Sequence, residues 1–388
     1  MLLKGGTVLN KDFKLEKKDL YIENGKISAK GSNGIMIDVT GLTVIPGLID
    51  THFHGFAVKT DDCEENGGYK QINASDASVD DLKMMCVALI KKGITTIAPG
   101  TNTLPKQTLI NAHKNIASLI KNGSEGAEIA GIYMEGPYIS PKRCGGMRKD
   151  LLRSFDVTEF EEYWEASEGN IKVVNLAPEI KENFEGIKYL KEKGIVVSMG
   201  HTDATAEEID AAINEGATSA THLYNAMRGM THREPGVVGA VLDNPQIFAE
   251  IICDGYHINE KIIRLTYKML GRDRLILISD SVPVAGLPDG EYIFDGKKTI
   301  IKDGTNRLPD GTLNGNVNDL FECMRRAVKF GIPFEDAVCC ASYTPAKRLG
   351  IENRKGSIDI GKDADLVIID DEMNIKYVIK DGTIKYSR

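Results

Sequence analysis

Four histidines and two carboxylates are the side chains of this chain best suited to chemistry, and each follows a short apolar run. They are His52 and His54 in Asp50-Thr51-His52-Phe53-His54-Gly55, Glu135 in Met134-Glu135-Gly136-Pro137, His201 in Gly200-His201-Thr202-Asp203, His222 in Thr221-His222-Leu223-Tyr224-Asn225, and Asp280 in Ser279-Asp280-Ser281. Imidazole and carboxylate together are the ligand set of divalent metal ions. Side chains two apart on a strand point to the same side, so His52 and His54 can reach one ion. Any one of these residues alone reads as a satisfied, partly buried polar group. Their recurrence just past successive apolar runs is what points to a common centre. His257, in Asp254-Gly255-Tyr256-His257, also follows such a run. His113 lies in a polar helical stretch and reads as surface, and His232, between Thr231 and Arg233, reads as a loop residue that is solvated or helps bind an anion.

Something must bring these scattered residues together. The apolar runs are Thr43–Ile49, Thr95–Ala98, Ile129–Tyr133, Lys172–Leu176, Val196–Met199, Ser219–Thr221, Phe248–Cys253 and Leu275–Ser279. Amphipathic stretches such as Asp80–Lys92, Glu182–Lys193 and Ala206–Glu215 lie between them. Continuous apolar strands alternating with helices imply a buried parallel sheet. Eight such units within ~250 residues favour a (β/α)8 TIM-type barrel over an open doubly wound sheet, and in a barrel the residues after each strand converge on one mouth. Both chain ends read differently, as short strands and turns, with Glu23-Asn24-Gly25 and Asp381-Gly382 as hairpin signals. The expected organisation is α/β: a barrel over 46–349 and a small β-sandwich domain built from 1–45 and 350–388.

Composition narrows the function. The chain has 388 residues with 48 Lys plus Arg against 56 Asp plus Glu, a net charge of −8, which argues against a nucleic-acid binder. No run approaches the ~18 apolar residues of a membrane span. The start, Met1-Leu2-Leu3-Lys4-Gly5-Gly6, has no apolar h-region. The 7 cysteines, Cys63 among them, are scattered without a C-x-x-C pair, so a disulfide framework is not expected and a cytoplasmic location is. Cys339 and Cys340, adjacent in an apolar stretch, read as core. No G-x-x-x-x-G-K-[ST] phosphate loop is present, and Gly145-Gly146 reads as a flexible substrate loop.

The segment from Pro46 to Gly55, Pro-Gly-Leu-Ile-Asp-Thr-His-Phe-His-Gly, with later single histidines and a late Asp, resembles the amidohydrolase superfamily. Within it, six further segments resemble the N-acetylglucosamine-6-phosphate deacetylases: Met134 to Arg143, Gly200 to Ala204, Thr221 to Met227 (Thr-His-Leu-Tyr-Asn-Ala-Met), Arg233 to Gly236 (Arg-Glu-Pro-Gly), Asp254 to His257 and Ser279 to Ser281. That resemblance implies a metal ion on Glu135, His201 and His222. It implies a second on His52 and His54, with Glu135 bridging and Asp280 close by. It implies that Asn225, the Ala226 backbone, Arg233 and His257 contact the sugar phosphate, with Arg233 coming from the neighbouring subunit of a homodimer. The loop containing Gly146 and the segment beginning at Leu313 face the substrate in that family. Two departures stand out. Met147 occupies the place of a family histidine and cannot donate a hydrogen bond to a sugar. Leu313-Asn314-Gly315-Asn316 replaces an L-x-G-S segment that closes over the acetyl group.

The implied reaction is hydrolysis of the acetamide of N-acetylglucosamine 6-phosphate to glucosamine 6-phosphate and acetate. A divalent ion lowers the pKa of water from ~15.7 to ~7 and so supplies hydroxide. Asp280 then acts as general base and afterwards as general acid toward the nitrogen. The fork of Arg233 matches phosphate oxygens. One or two ions per subunit are expected, zinc or iron first, with manganese or cobalt compatible with the same donors. Three alternatives remain: the galactosamine isomer as substrate, another amidohydrolase reaction, and a sugar-phosphate-binding metalloprotein without turnover. A cyclic amidase with a carbamylated lysine is disfavoured, because Glu135 stands where that lysine would.

Overall fold

Strands alternate with helices because the apolar pattern of the sequence changes period along the chain. The computed structural model describes residues 1–31, 34–60 and 68–388, so Cys63 lies outside the described residues. Eight parallel strands form the central sheet: β1 Leu48–Phe53, β2 Ile94–Thr101, β3 Ile132–Met134, β4 Ile171–Leu176, β5 Val196–Met199, β6 Ser219–Ala220, β7 Phe248–Ile252 and β8 Leu275–Ile278. A helix follows each: α1 Val79–Ile90, α2 Lys106–Asn122, α3 Val157–Ala166, α4 Lys181–Glu192, α5 Ala206–Glu215, α6 Gly236–Asp243, α7 Glu260–Leu270 and α8 Leu320–Lys329. Each strand pairs with the next in parallel, for example Ala249 with Leu275 and Ile252 with Ile278. The ring closes between the first and last strands, where the Asp280 N–H donates to His52 O (2.9 Å) and the His54 N–H to Ser281 O (2.7 Å). Five of these eight helices start at a residue whose side chain caps them. Ser78 accepts from Asp81 N, and Thr205 with Glu208 forms a reciprocal capping box.

The first apolar run does not form one strand. It divides at Gly47 into Thr43–Pro46, which pairs with Leu366–Ile369 and Thr7–Leu9, and β1. A Cβ on Gly47 would sit 2.2 Å from Thr95 Oγ1, so only glycine lets the chain pass so close to β2 as it enters the barrel. The other seven runs each coincide with a barrel strand to within a few residues.

Both chain ends contribute to the sheets outside the barrel. One has the order Lys26–Ser28, Leu20–Glu23, Leu2–Lys4, Met36–Asp38. The other runs Thr383–Ser387, Ile375–Lys380, Leu366–Ile369, Thr43–Pro46, Thr7–Leu9, Leu15–Lys17. Leu3, Val8, Leu20, Ile22, Leu366, Ile368 and Ile379 belong to a core separate from that of the barrel. Asn24 (φ 50°) and Gly25 (φ 76°) turn the first hairpin and Asp381 (φ 48°) and Gly382 (φ 71°) the last, the paired left-handed conformation that tight hairpins require.

A buried ion cluster joins these sheets to the barrel. Lys355 Nζ lies 2.6 Å from Asp365, 2.9 Å from Glu128 and 3.2 Å from Asp363, while Arg354 reaches Glu128 and Asp363. Burial alone would raise the Glu128 carboxyl, but Arg354, Lys355 and Lys380 outweigh it and hold its pKa at about 2 against an ordinary 4.5. Burial likewise opposes ionisation of Asp363, and Lys26, Lys355 and Arg354 overcome that effect and hold its pKa at about 2 as well. A carboxylate with a depressed folded pKa adds stability above its unfolded pKa and loses it as pH falls toward the folded one. The denaturation midpoint of the protein is therefore expected to drop between about pH 4.5 and pH 2, and Glu128→Gln to flatten that drop. Equal acid sensitivity of wild type and variant in urea titrations would refute it.

His113 is not on the surface. It is fully buried on α2 beside Leu109, Ala112 and Ile116. Its ring meets Tyr163 edge-on at 5.7 Å, and burial pushes its pKa down to about 4. The helix is polar on average, but His113 falls on its inward stripe. Cys339 and Cys340 are buried in the helix Phe334–Cys340, and the six described cysteines are free thiols. Among the described residues no helix is long and apolar enough to cross a membrane.

Candidate functional site

The barrel gathers the six side chains at the C-terminal ends of five strands. His52 and His54 come from the end of β1, Glu135 follows β3, His201 follows β5, His222 follows β6 and Asp280 follows β8. Their donor atoms form two adjacent triads, His52/His54/Asp280 and Glu135/His201/His222, each with its atoms within 4.8 Å of one another. Glu135 lies between them. Its Oε1 is 2.9 Å from His222 Nε2, 3.2 Å from His201 Nε2 and 3.4 Å from His52 Nε2, and its Oε2 is 3.0 Å from His54 Nε2. Asp280 Oδ1 is 3.2 Å from His54 Nε2 and 3.7 Å from His52 Nε2. His201 (φ 47°), His222 (φ 29°) and Asp280 (φ 48°) all adopt left-handed backbone conformations. Such conformations cost of order 1–3 kcal/mol each, and here they turn the chain at the strand end so that the side chain faces the axis.

The donors fit a cation. His201 Nδ1 is 2.8 Å from the Arg143 carbonyl, His54 Nδ1 is 3.2 Å from the Gly100 carbonyl, and His52 Nδ1 is 2.9 Å from the Glu250 carboxylate. Those partners only accept, so Nδ1 carries the proton in each ring, and in the neutral ring Nε2 presents a lone pair. Nε2 lone pairs would then face carboxylate oxygens at about 3 Å, a repulsive arrangement unless positive charge sits between them. His222 Nε2 and His201 Nε2 are likewise only 3.1 Å apart. His52 Nε2 is buried without a hydrogen-bond partner among the described residues. Divalent ions between these atoms would satisfy all of them. In the protein alone, protonation is the substitute. Burial opposes charge on His54, yet Glu135 and Asp280 overcome it and raise its pKa to about 9. Burial would raise the carboxyl of Glu135, but His54 and His52 hold it well below the usual range.

Beside the cluster opens a cavity of about 580 Å³ lined by His54, Glu135, His201, His222 and Asp280, and by Gly146, Asn225, Ala226 and His257. A small phosphorylated sugar fits such a volume. His257 is tied by Nδ1 to Asp254 Oδ2 at 2.6 Å. Burial opposes its charge, and Asp254 prevails and raises its pKa. Met147 also lines the cavity and accepts a hydrogen bond from Thr103 Oγ1 at its sulfur, at 3.1 Å. Leu313 does not reach the lining; the next two residues, Asn314 and Gly315, do. Arg233 and His232 are exposed on a loop outside the cavity of their own chain.

Other elements of the cavity wall escaped the sequence reading. The hairpin Gly55–Lys59/Tyr69–Asn73 contributes Gln71 and Asn73 to the wall, and the turn between Gly290–Phe294 and Lys297–Lys302 contributes Phe294, Asp295 and Lys297. Glu250, behind His52, was also missed. Its signal is a lone carboxylate inside the apolar run Phe248-Ala249-Glu250-Ile251-Ile252, which cannot be buried unpaired.

The barrel with a histidine and carboxylate cluster at its C-terminal mouth defines a class, and a profile of the amidohydrolase family matches residues 43–385: the chain belongs to that family. Among proteins of known activity, it is 38% identical over 354 residues to the N-acetylglucosamine-6-phosphate deacetylase of Bacillus subtilis (strain 168), covering 88% of this chain and 84% of the relative. It is 31% identical over 387 residues to the N-acetylgalactosamine-6-phosphate deacetylase of Escherichia coli O157:H7, covering 99% and 98%. The crystal structure of N-acetylglucosamine-6-phosphate deacetylase from Pasteurella multocida matches with a TM-score of 0.89 at 30% identity, over 100% of this chain and 99% of that one.

Proposed function

We propose that the chain hydrolyses the acetamide of N-acetylglucosamine 6-phosphate, releasing acetate and glucosamine 6-phosphate. The observation that carries the reading is Glu135, one carboxylate set between two histidine pairs with Asp280 opposite, at the edge of a cavity of sugar-phosphate size. Glu135, His201 and His222 would hold one divalent ion, and His52, His54 and Asp280, sharing Glu135, a second. Held there, such ions lower the pKa of water toward neutrality and polarise the amide carbonyl. The donors include no thiolate, which suits zinc or iron, and also manganese or cobalt.

The protein's own groups move the proton. Burial would raise the Asp280 carboxyl, but His54 and His52 hold it below its ordinary value, so it is ionised at neutral pH and has a free lone pair to take a proton. Asp280 takes the proton released as water oxygen bonds to the carbonyl carbon. It returns that proton to the amide nitrogen as the C–N bond breaks, so that the amine leaves neutral. Asn225, the Ala226 backbone and His257 line the wall that orients the sugar and its phosphate. The phosphate also needs a strong cation, and Arg233 fits that part only as a residue reaching the cavity of a second copy. A homodimer is therefore included in the reading, as is a cytoplasmic location, which the free thiols favour.

The deciding experiment is acetate release from N-acetylglucosamine 6-phosphate, its galactosamine isomer and unphosphorylated N-acetylglucosamine, with and without a chelator. Chelator-sensitive turnover, fastest on the first, is expected; fastest turnover on the isomer would transfer the assignment to it, consistent with Met147 at the cavity wall. No acetate from any of them, with metal supplied, would overturn the reading. Arg233→Ala is expected to cut kcat/KM on the phosphorylated sugar by about tenfold or more, a charge-assisted contact being worth ~1.5–3 kcal/mol, and to spare the unphosphorylated one. Equal losses on both would remove Arg233 from the phosphate site.

A further inference from the structure

A carboxylate and a guanidinium sit at the bottom of the barrel mouth, outside the group of side chains that face the cavity. Glu250, in the middle of β7, and Arg348, from the helix Tyr343–Leu349, are both buried and form an ion pair. Glu250 Oε1 accepts from Arg348 Nη1, and Glu250 Oε2 faces His52 Nδ1 at 2.9 Å. The Tyr133 hydroxyl and the His222 backbone N–H also point at Oε2, each at 3.4 Å. The second nitrogen of the guanidinium donates to Thr51 Oγ1, next to His52 in the chain. The His52 ring is stacked on Tyr133, with centroids 4.2 Å apart and planes 15° apart.

Each of these groups around Glu250 is a donor, so both oxygens must accept. The only proton position left to the neutral His52 ring is Nδ1, and its Nε2, which has no hydrogen-bond partner among the described residues, is left as a lone pair aimed at the cluster. The other three ring environments differ. His201 and His54 are fixed by backbone carbonyls, and His222 Nδ1 has no partner among the described residues. Of the four rings, His52 is the one held by a side chain that is itself held by a second side chain.

We propose that Glu250, clamped by Arg348, is a positioning residue that sets the His52 tautomer and thereby decides whether the His52/His54/Asp280 triad holds an ion. The inference rests on the reading of the cluster as a metal centre. A buried pair with one partner removed leaves an uncompensated charge, so the pair is built to persist. Groups hydrogen-bonded behind a ligating histidine are worth about 10–100-fold in metal affinity.

Glu250→Gln tests it. An amide has one acceptor and one donor end. If its oxygen faces Arg348, its NH2 faces His52 Nδ1 and drives the ring proton to Nε2; if it is reversed, the NH2 meets the guanidinium. Because that variant strands Arg348, the double variant Glu250→Leu/Arg348→Met, which removes the pair as a unit, is measured beside it. Each protein, its folding checked by thermal denaturation, is stripped of metal and equilibrated with Zn²⁺ buffered over a range of free concentrations, and bound zinc is counted. The metal-free proteins are also compared by ¹⁵N chemical shifts of the His52 ring, at a pH high enough that the ring is neutral. The expected result is two zinc ions per wild-type chain, the weaker one bound about 10–100-fold less tightly in a folded variant, with the first little changed. The His52 shifts of Glu250→Gln should report an Nε2 proton where wild type reports Nδ1. Unchanged zinc binding in either folded variant overturns the proposal while leaving the metal centre standing. A wild type that takes up no zinc, iron, manganese or cobalt overturns the metal centre itself and the proposal with it.

Discussion

Asp280→Asn is expected to lower kcat by about 10²–10⁴-fold, the usual worth of positioned acid–base catalysis, while the protein stays folded and still binds metal. Asparagine keeps the size of the side chain and one oxygen toward His54 Nε2, which in wild type is 3.2 Å from Oδ1. What it loses is the ability to accept a proton. Asp280 lines the cavity, and the one other carboxylate of the cluster, Glu135, is already shared by four rings, so none is placed to substitute for it. The kinetic signature is a loss in kcat with KM for the amino-sugar phosphate changed little, since the acid–base step comes after binding. Near-normal kcat with intact metal content would remove Asp280 from proton transfer and leave it as a ligand alone.

Glu135→Gln should act earlier in the chain of cause. The substitution removes one negative charge from the centre and places an amide NH2 where an oxygen now faces histidine nitrogens at 2.9–3.4 Å. This carboxylate belongs to one triad and also reaches His52 and His54 of the other, so bound metal should fall by at least one equivalent per chain. Turnover should fall on the order of 10³-fold or more, because unassisted water has a pKa of ~15.7 rather than ~7. Thermal stability in excess zinc should fall as well, since ligand binding to the folded state adds about 4 kcal/mol when the ligand stands at about 1,000 times its Kd. Retention of full metal content and of metal-dependent stabilisation would show that Glu135 does not bridge the triads.

Much of this site was legible before folding. The ligand types and their recurrence after apolar runs are a one-dimensional pattern, because a parallel barrel places every strand end at the same mouth. The (β/α)8 alternation was legible for the same reason: strands buried on both faces tend to be continuous in apolar residues, as β8 is. The division of the first run at Gly47 was not, because it depends on how closely β2 approaches. His113 was misread because a helix's average polarity does not say which residues lie on its inward stripe.

The sequence by itself determined which atoms can bind a cation and roughly where along the chain each strand ends. Local periodicity and residue chemistry are properties of neighbours in the chain, and they survive without tertiary contacts. Only the tertiary structure decided that Glu135 stands between the two histidine pairs, that His201, His222 and Asp280 turn inward through left-handed backbone, and that Glu250 and Arg348, 98 positions apart, meet behind His52. Those relations are set by the closure of the ring and by burial, which force each polar group to find its partner among residues far away in the chain.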